Sequence, residues 1–309
     1  MLYKDWLNEW LNTYIRITAK SKTVSRYAEI INNHISPYIG KIELSNLSAI
    51  ELQHFVKELL ISGNRITGNG LSSSAVNSII TVIQTSLNVA QRLGVVDCNP
   101  SNNLVRPKLT EKRIECFSLE EQKSIEQTIL ADSRPYMLGI IVCLYTGLRI
   151  GELLALTWHD IDFSNGILYV TKTCYDGKDN NGNFSRIIDE PKTQSSRRVI
   201  PLSKQILKFL ENMKKQSDSE WIIAKKSKLL SVRTYQRNFA VLLEKLHIGH
   251  RGFHALRHTF ATRAIECGMD VKTLSEILGH KNATITLNRY AHSLMEHKRE
   301  MMNRLGKLL

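Results

Sequence analysis

Apolar residues recur with a helical period through the first hundred positions. In LYKDWLNEWLNTYI, Leu2, Trp6, Leu7, Trp10, Leu11, Tyr14 and Ile15 form one stripe. That spacing predicts a helix whose aromatic face lies in a core or protomer contact rather than against nucleobases. A second helix is expected from about Lys22 to Ile35, stopping before Pro37, because proline cannot donate the next helical hydrogen bond. SAIE, Ser48 to Glu51, has the form of a capping box and announces a third helix that ends near Ser62-Gly63. The fourth, SSSAVNSIITVIQTSLNVAQRLG, is closed by Gly94. Four helices in about a hundred residues make a bundle-like domain. Residues 97–113, DCNPSNNLVRPKLTEKR, hold two prolines, three asparagines and four basic side chains without periodicity, and read as a linker.

The pattern then restarts. SLEE, Ser118 to Glu121, is another capping box, with a helix expected to about Ala131 and a further one from Pro135 to Tyr145. After TGLRIGELLALTW the period shortens, and ILYVTKT (167–173) and RRVIPL (197–202) have the look of strands. CYDGKDNNGNFSRIIDEPKTQSS separates them, which predicts a β-hairpin or small sheet with an extended tip. From Ser203 to Leu309 the chain reads as helical, and no internal repeat is visible. The fold class expected is mainly α with a small β-sheet.

Charge narrows the function. Among 309 residues, 42 Lys and Arg stand against 29 Asp and Glu, a formal balance of +13. Residues 1–108 hold 11 basic and 7 acidic side chains, so both halves are cationic and no terminal tail accounts for the excess. A globular chain this basic fits a polyanionic partner, most often nucleic acid. The five cysteines, Cys98, Cys116, Cys143, Cys174 and Cys267, show neither CxxC nor zinc spacing. With no signal peptide or long apolar run ahead of them, they suit free thiols in a reducing cytoplasm, with no metal and no membrane association.

Several stretches combine the residue types needed to act on a phosphate. In TGLRIGELLAL (146–156), Arg149 stands between Gly147 and Gly151 at a helix entry, where its planar fork can grip phosphate oxygens, and Glu152 can buttress it. The plainer reading is a surface i,i+3 ion pair, worth a few tenths of a kcal/mol. Lys192 lies where the hairpin returns to its second strand and can reach a groove or protonate a leaving oxygen. HALRH (254–258) sets His254, Arg257 and His258 at offsets of three and four, which share a helix face. Arg257 offers five donors, and His254 can move a proton near neutral pH. His258 has an alternative, pointing into the core. In ILGHKNATITLNRYAH, His280 follows Gly279, and Tyr290 lies ten positions on. A phenol needs a base or cationic surroundings to act as a nucleophile. Two arginines, a lysine, two histidines and a tyrosine form a set for attack on a phosphodiester. Without a two-metal carboxylate cluster, the transition-state charge falls to guanidinium and ammonium groups.

TGLRIGELLALTWHDID, PKTQSSRRVIPL, HALRHTFATRAIECG and LGHKNATITLNRYAH, in this order, resemble the tyrosine recombinase (phage integrase) family, nearest to integrases of conjugative transposons and phages of low-GC Gram-positive bacteria. The resemblance covers the whole chain. It implies a helical core-binding (SAM-like) DNA-binding domain over 1–108, a linker over 109–116, and a mixed α/β catalytic domain over 117–309 that ends in an exchange helix. It further implies that Arg149 and Arg257 hold the scissile phosphate, Lys192 is the general acid, and His254 assists proton transfer. His280 would hydrogen-bond the phosphate, Tyr290 would be the nucleophile of a 3′-phosphotyrosyl link, and Glu152 and His258 would support from behind. Resealing then needs no cofactor, neither metal nor ATP. The partners implied are double-stranded DNA and a homo-tetramer, with room for accessory DNA-bending or directionality proteins. Such integrases generally begin with an arm-binding domain, whereas here the core-binding helix starts almost at Met1, so either an arm-less enzyme or a truncated chain is expected. Type IB topoisomerase-like relaxation and a non-catalytic DNA-binding regulator are the competing readings.

Overall fold

The computed structural model describes residues 1–109, 115–178, 184–189, 197–225 and 228–280, and positions 282, 284, 299, 302, 303, 305 and 306 beyond them. The chain divides into two compact units, Met1–Lys112 and Arg113–Leu309.

The first unit is helical. Helix α1 (Tyr3–Trp10) runs through a wide i→i+5 turn, Leu11–Ile15, into Arg16–Thr18. Its stripe is core: Tyr3, Trp6, Leu7 and Trp10 are almost wholly enclosed, and Trp10 stacks on Tyr27 with centroids 5.8 Å apart. Trp6 Nε1 donates to the Ser86 carbonyl at 3.2 Å, whereas Trp10 Nε1 is buried without a hydrogen-bond partner and the indole is held by packing. Helix α2 (Ser21–Ile30) ends ahead of Pro37, but the helical path does not stop there as expected. A second wide turn, Ile31–Ile35, leads into Ser36–Ile39, where Pro37 sits in the first turn. The wider winding makes room for a ring that would clash with a regular preceding turn. Helix α3 (Ala49–Ser62) starts at the Ser48–Glu51 capping box, and α4 (Ser73–Arg92) ends before Gly94 at φ +70°.

The linker reading of 97–113 needs correction in its first half. Asn99 and Ser101 are buried and joined by Asn99 Oδ1, which accepts from the Ser101 amide and hydroxyl. Leu104 enters the core, Gln53 bonds both backbone groups of Val105, and Asn77 Nδ2 donates to the Pro107 carbonyl at 2.9 Å. Side-chain amides from α3 and α4 replace the missing period and strap this segment to its own unit.

The second unit begins with α5 (Leu119–Leu130) on the Ser118–Glu121 capping box. After a 3₁₀ turn, α6 (Gly139–Thr146) is apolar all round and buried on nearly every face, followed by the one-turn helix α7 (Ile150–Leu153). Three short antiparallel strands follow in the order β1 (Ile161–Asp162), β2 (Ile167–Val170), β5 (Arg198–Pro201). Leu168 stands opposite Ile200 and Val170 opposite Arg198. The polar stretch between β2 and β5 supplies its own hairpin, β3 (Thr173–Lys178) and β4 (Phe184–Asp189). Beyond Ser203 the chain is not helical throughout: between α8 (Lys204–Lys215) and α9 (Val232–Lys245) lies a pair of two-residue strands, β6 (Ala224–Lys225) and β7 (Lys228–Leu229). Helix α10 (His254–Glu266) packs on α6, and α11 (Val271–Leu278) packs on α10 and reaches β5. The fold is thus mainly α with small antiparallel sheets.

The five cysteines are free thiols. Burial pushes the Cys143 thiol up, and the neighbouring Glu152 charge adds to this, against a smaller opposing pull from Arg257. Among the described residues, no helix is long and apolar enough to cross a membrane.

Candidate functional site

Helix α11 is a short helix whose last carbonyls have no helical partner. Its N-terminus is capped by Asp270, whose carboxylate accepts from the Thr273 amide at 2.9 Å. At its other end, Gly279 turns the chain at φ +65°, a conformation glycine takes without strain. Three arginines meet the carbonyls thus exposed. Arg198 Nε donates to Ile277 O, Arg257 Nη2 to Leu278 O, and Arg149 Nη2 to Gly279 O at 3.5 Å. A helix C-terminus carries partial negative charge, so it draws cations to it.

Arg257 is 2% exposed, although it leaves α10 between His254, which is exposed, and His258, which is half-buried. Its fork is fixed on both sides: Nη1 donates to Gly147 O at 2.8 Å, and Nη2 also meets His280 Nε2 at 3.1 Å. Gly147 itself has φ +65°, and a Cβ there would lie 2.5 Å from Phe260 Cδ1 and 2.9 Å from Leu278 Cδ2. Only glycine brings this carbonyl so close to α10 and the end of α11. His254 and His258 stand edge to face with centroids 4.6 Å apart.

Arg149 caps α7 from the N-terminal side. Its amide donates to Glu152 Oε2 at 2.9 Å and its Nη1 to Oε1 at 2.7 Å, while 36% of its side chain stays exposed. Glu152 is 3% exposed, so the pair is not the surface contact that i,i+3 spacing alone suggests. The same carboxylate takes a second fork, Arg198 Nη1 to Oε1 at 2.9 Å and Nη2 to Oε2 at 2.8 Å. Burial by itself would raise the Glu152 carboxyl. The hydrogen bonds and charge of Arg198, with the charge and amide of Arg149, outweigh it and hold the group at about 2.

Arg149, Glu152, Arg257 and His280 are therefore joined in one network, with His254 and His258 on the helix that carries Arg257. Lys192 and Tyr290 lie outside the described residues, as do most of the proposed exchange helix and the hairpin tip. Arg198 was not singled out from the sequence. The available signal was strand alternation: in RRVIPL, Arg198 and Ile200 fall on the buried face and Val199 on the open one. Among the described residues, no group of three or more His, Cys, Asp or Glu is placed to hold a metal ion.

Residues 116–297 match the family model described as "Phage integrase family", and residues 2–60 match "Phage integrase, N-terminal SAM-like domain". The "Tyrosine recombinase XerC-like" protein of Caldanaerobacter subterraneus subsp. tengcongensis is 28% identical over 98% of this chain and 82% of its own length. The ICEBs1 integrase of Bacillus subtilis is 28% identical over 95% of this chain and 80% of its own. Among solved structures, the Tn1549 transposon integrase in complex with a circular intermediate DNA superposes with TM-score 0.82 at 24% identity, covering 99% of both chains. A lambda integrase dimer bound to a COC′ core site gives TM-score 0.72 at 21% identity over 94% of this chain and 77% of that one. At these identities, the likeness to the two structures is one of fold.

Proposed function

The chain belongs to the phage integrase family, and on that premise we propose that it is a site-specific DNA recombinase that cleaves and rejoins strands through a 3′-phosphotyrosyl intermediate, moving a mobile element into or out of a larger DNA. One observation supports this above the rest. At the end of α11, three guanidiniums (Arg149, Arg198, Arg257) converge on the exposed carbonyls, and Glu152 pairs with the first two, so that among the described residues named here three positive charges stand against one negative. A phosphodiester carries one negative charge and gains a second as it becomes pentavalent, so the surplus suits the transition state better than the ground state.

In this reading Arg149 and Arg257 hold the two non-bridging oxygens. The phenolic oxygen of Tyr290 attacks phosphorus, forming a tyrosyl–phosphorus bond as the bond to the 5′-oxygen breaks. Lys192 delivers a proton to that leaving oxygen, with His254 assisting proton transfer and His280 hydrogen-bonding the phosphate. The ester retains the energy of the broken bond, so the 5′-hydroxyl of a second strand reverses the step and frees the tyrosine. Residues 1–108 serve as the core-binding domain and 117–309 as the catalytic domain. Related proteins have been captured on DNA, including a lambda integrase tetramer bound to a Holliday junction; these support duplex DNA as partner and a tetramer as the working form.

The test is covalent capture. On a nicked suicide duplex the wild-type protein is expected to form a protein–DNA adduct, and Tyr290→Phe to form none while binding the same duplex. An adduct that persists in Tyr290→Phe overturns the nucleophile assignment. Relaxation of any supercoiled plasmid by monomers, regardless of sequence, would favour the topoisomerase reading instead.

A further inference from the structure

We propose that Arg198 is a positioning residue for strand cleavage: by satisfying Glu152 it keeps Arg149 aligned and charged toward the scissile phosphate. This rests on the recombinase reading above.

The carboxylate of Glu152 is fully engaged. Each oxygen accepts twice, Oε1 from Arg149 Nη1 and Arg198 Nη1, Oε2 from the Arg149 amide and Arg198 Nη2. The two arginines use it differently. Arg198 commits both terminal nitrogens, and only 5% of its side chain is exposed. Arg149 gives it one terminal nitrogen and stays 36% exposed. The buried fork therefore balances the carboxylate, and the outer guanidinium is steered by it without being neutralised. With Arg198 absent, a desolvated carboxylate would have Arg149 as its counter-ion in this network. The pair would sum to zero, and Arg149 would be drawn inward to satisfy both oxygens.

Arg198 also links three separate pieces of chain. It begins β5, reaches α7 through Glu152, and bonds Ile277 O just ahead of Gly279 and His280. Its loss would thus shift the two elements whose relative placement defines the phosphate grip. A misplacement of about 1 Å at a reacting centre commonly costs on the order of 100-fold in rate.

The experiment uses the full chain with Arg198→Met, Glu152→Gln and the double variant. Single-turnover adduct formation and affinity are measured on a nicked duplex built on the crossover sequence mapped for the wild type, together with thermal midpoints. Arg198→Met is expected to slow cleavage by about 100-fold while changing duplex affinity by less than about threefold, because the lost interaction acts in the transition state. The double variant removes both buried charges. It is expected to regain most of the midpoint lost by Arg198→Met yet to cleave no faster than Glu152→Gln, and not at the product of the two losses. A wild-type rate in Arg198→Met overturns the proposal, and so does a double variant that cleaves faster than Glu152→Gln. Multiplying losses would mean that Arg198 acts independently of Glu152, which also overturns it. A wild-type protein that forms no adduct sinks the recombinase reading itself, and the role given to Arg198 with it.

Discussion

At the scale of single residues, Glu152 makes the acid limb of the stability curve informative. Its carboxyl titrates at about 2 in the folded protein, against an ordinary value of 4.5. A depressed carboxylate adds stability that is complete above its unfolded value and disappears as pH falls through the folded one. Between about pH 4.5 and 2 the second unit is therefore expected to lose about 3 kcal/mol from this group. Urea unfolding at pH 7 and at pH 3 checks this, because about 2 kcal/mol of that loss falls above pH 3, with Glu152→Gln lacking that increment of acid sensitivity. Much of this network is legible in the sequence, since Arg149, Glu152 and Arg257 lie in short motifs whose chemistry is local. Arg198 is not, because its partner is 46 positions away and nothing but strand register separates it from Arg197. Burial was hidden in the same way: HALRH declares a helix face, but not that its arginine is sunk between Gly147 and Leu278 while His254 stays exposed.

At the scale of elements, the short helix α11 carries an unusual share of the site, and its far end is fixed by Asp270. Asp270→Ala removes the cap without touching an arginine or His280. The expected result is a thermal midpoint lower by about 2–4 °C and slower adduct formation at unchanged duplex affinity; an unaltered cleavage rate would mean that the helix end is held by its arginines alone. Caps were the most readable features of the chain: the boxes at Ser48 and Ser118 stand where the spacing puts them, because capping depends on three or four consecutive residues. The misses are those where tertiary partners overrule local preference. Pro37 is carried inside a helical path by the wide turn ahead of it. Asn99 to Pro107 is tied down by amides from other helices, and β6 and β7 are too short for any period to register.

At the scale of the whole molecule, two separate cores each support a net-positive surface. Residues 1–108 balance at +4 and the remainder at +9. If both bind one duplex, affinity is expected to fall steeply between about 50 and 200 mM salt as phosphate contacts release counterions. Titration of a fixed duplex across that range measures the slope, and a flat response would remove the backbone-clamp picture. The hydrophobic rhythm breaks off after Gly94 and restarts at Ser118, whereas packing around Asn99 and Leu104 is what ties the stretch between them to the first unit. The peptide oxygens at the end of α11 have one last consequence. Unlike a carboxylate, a carbonyl bears no full charge that an incoming phosphate must displace. If Arg257 holds a phosphate as proposed, the Gly147 and Leu278 carbonyls already aim its fork in the folded protein, so that part of the reorganisation is completed before any reaction begins.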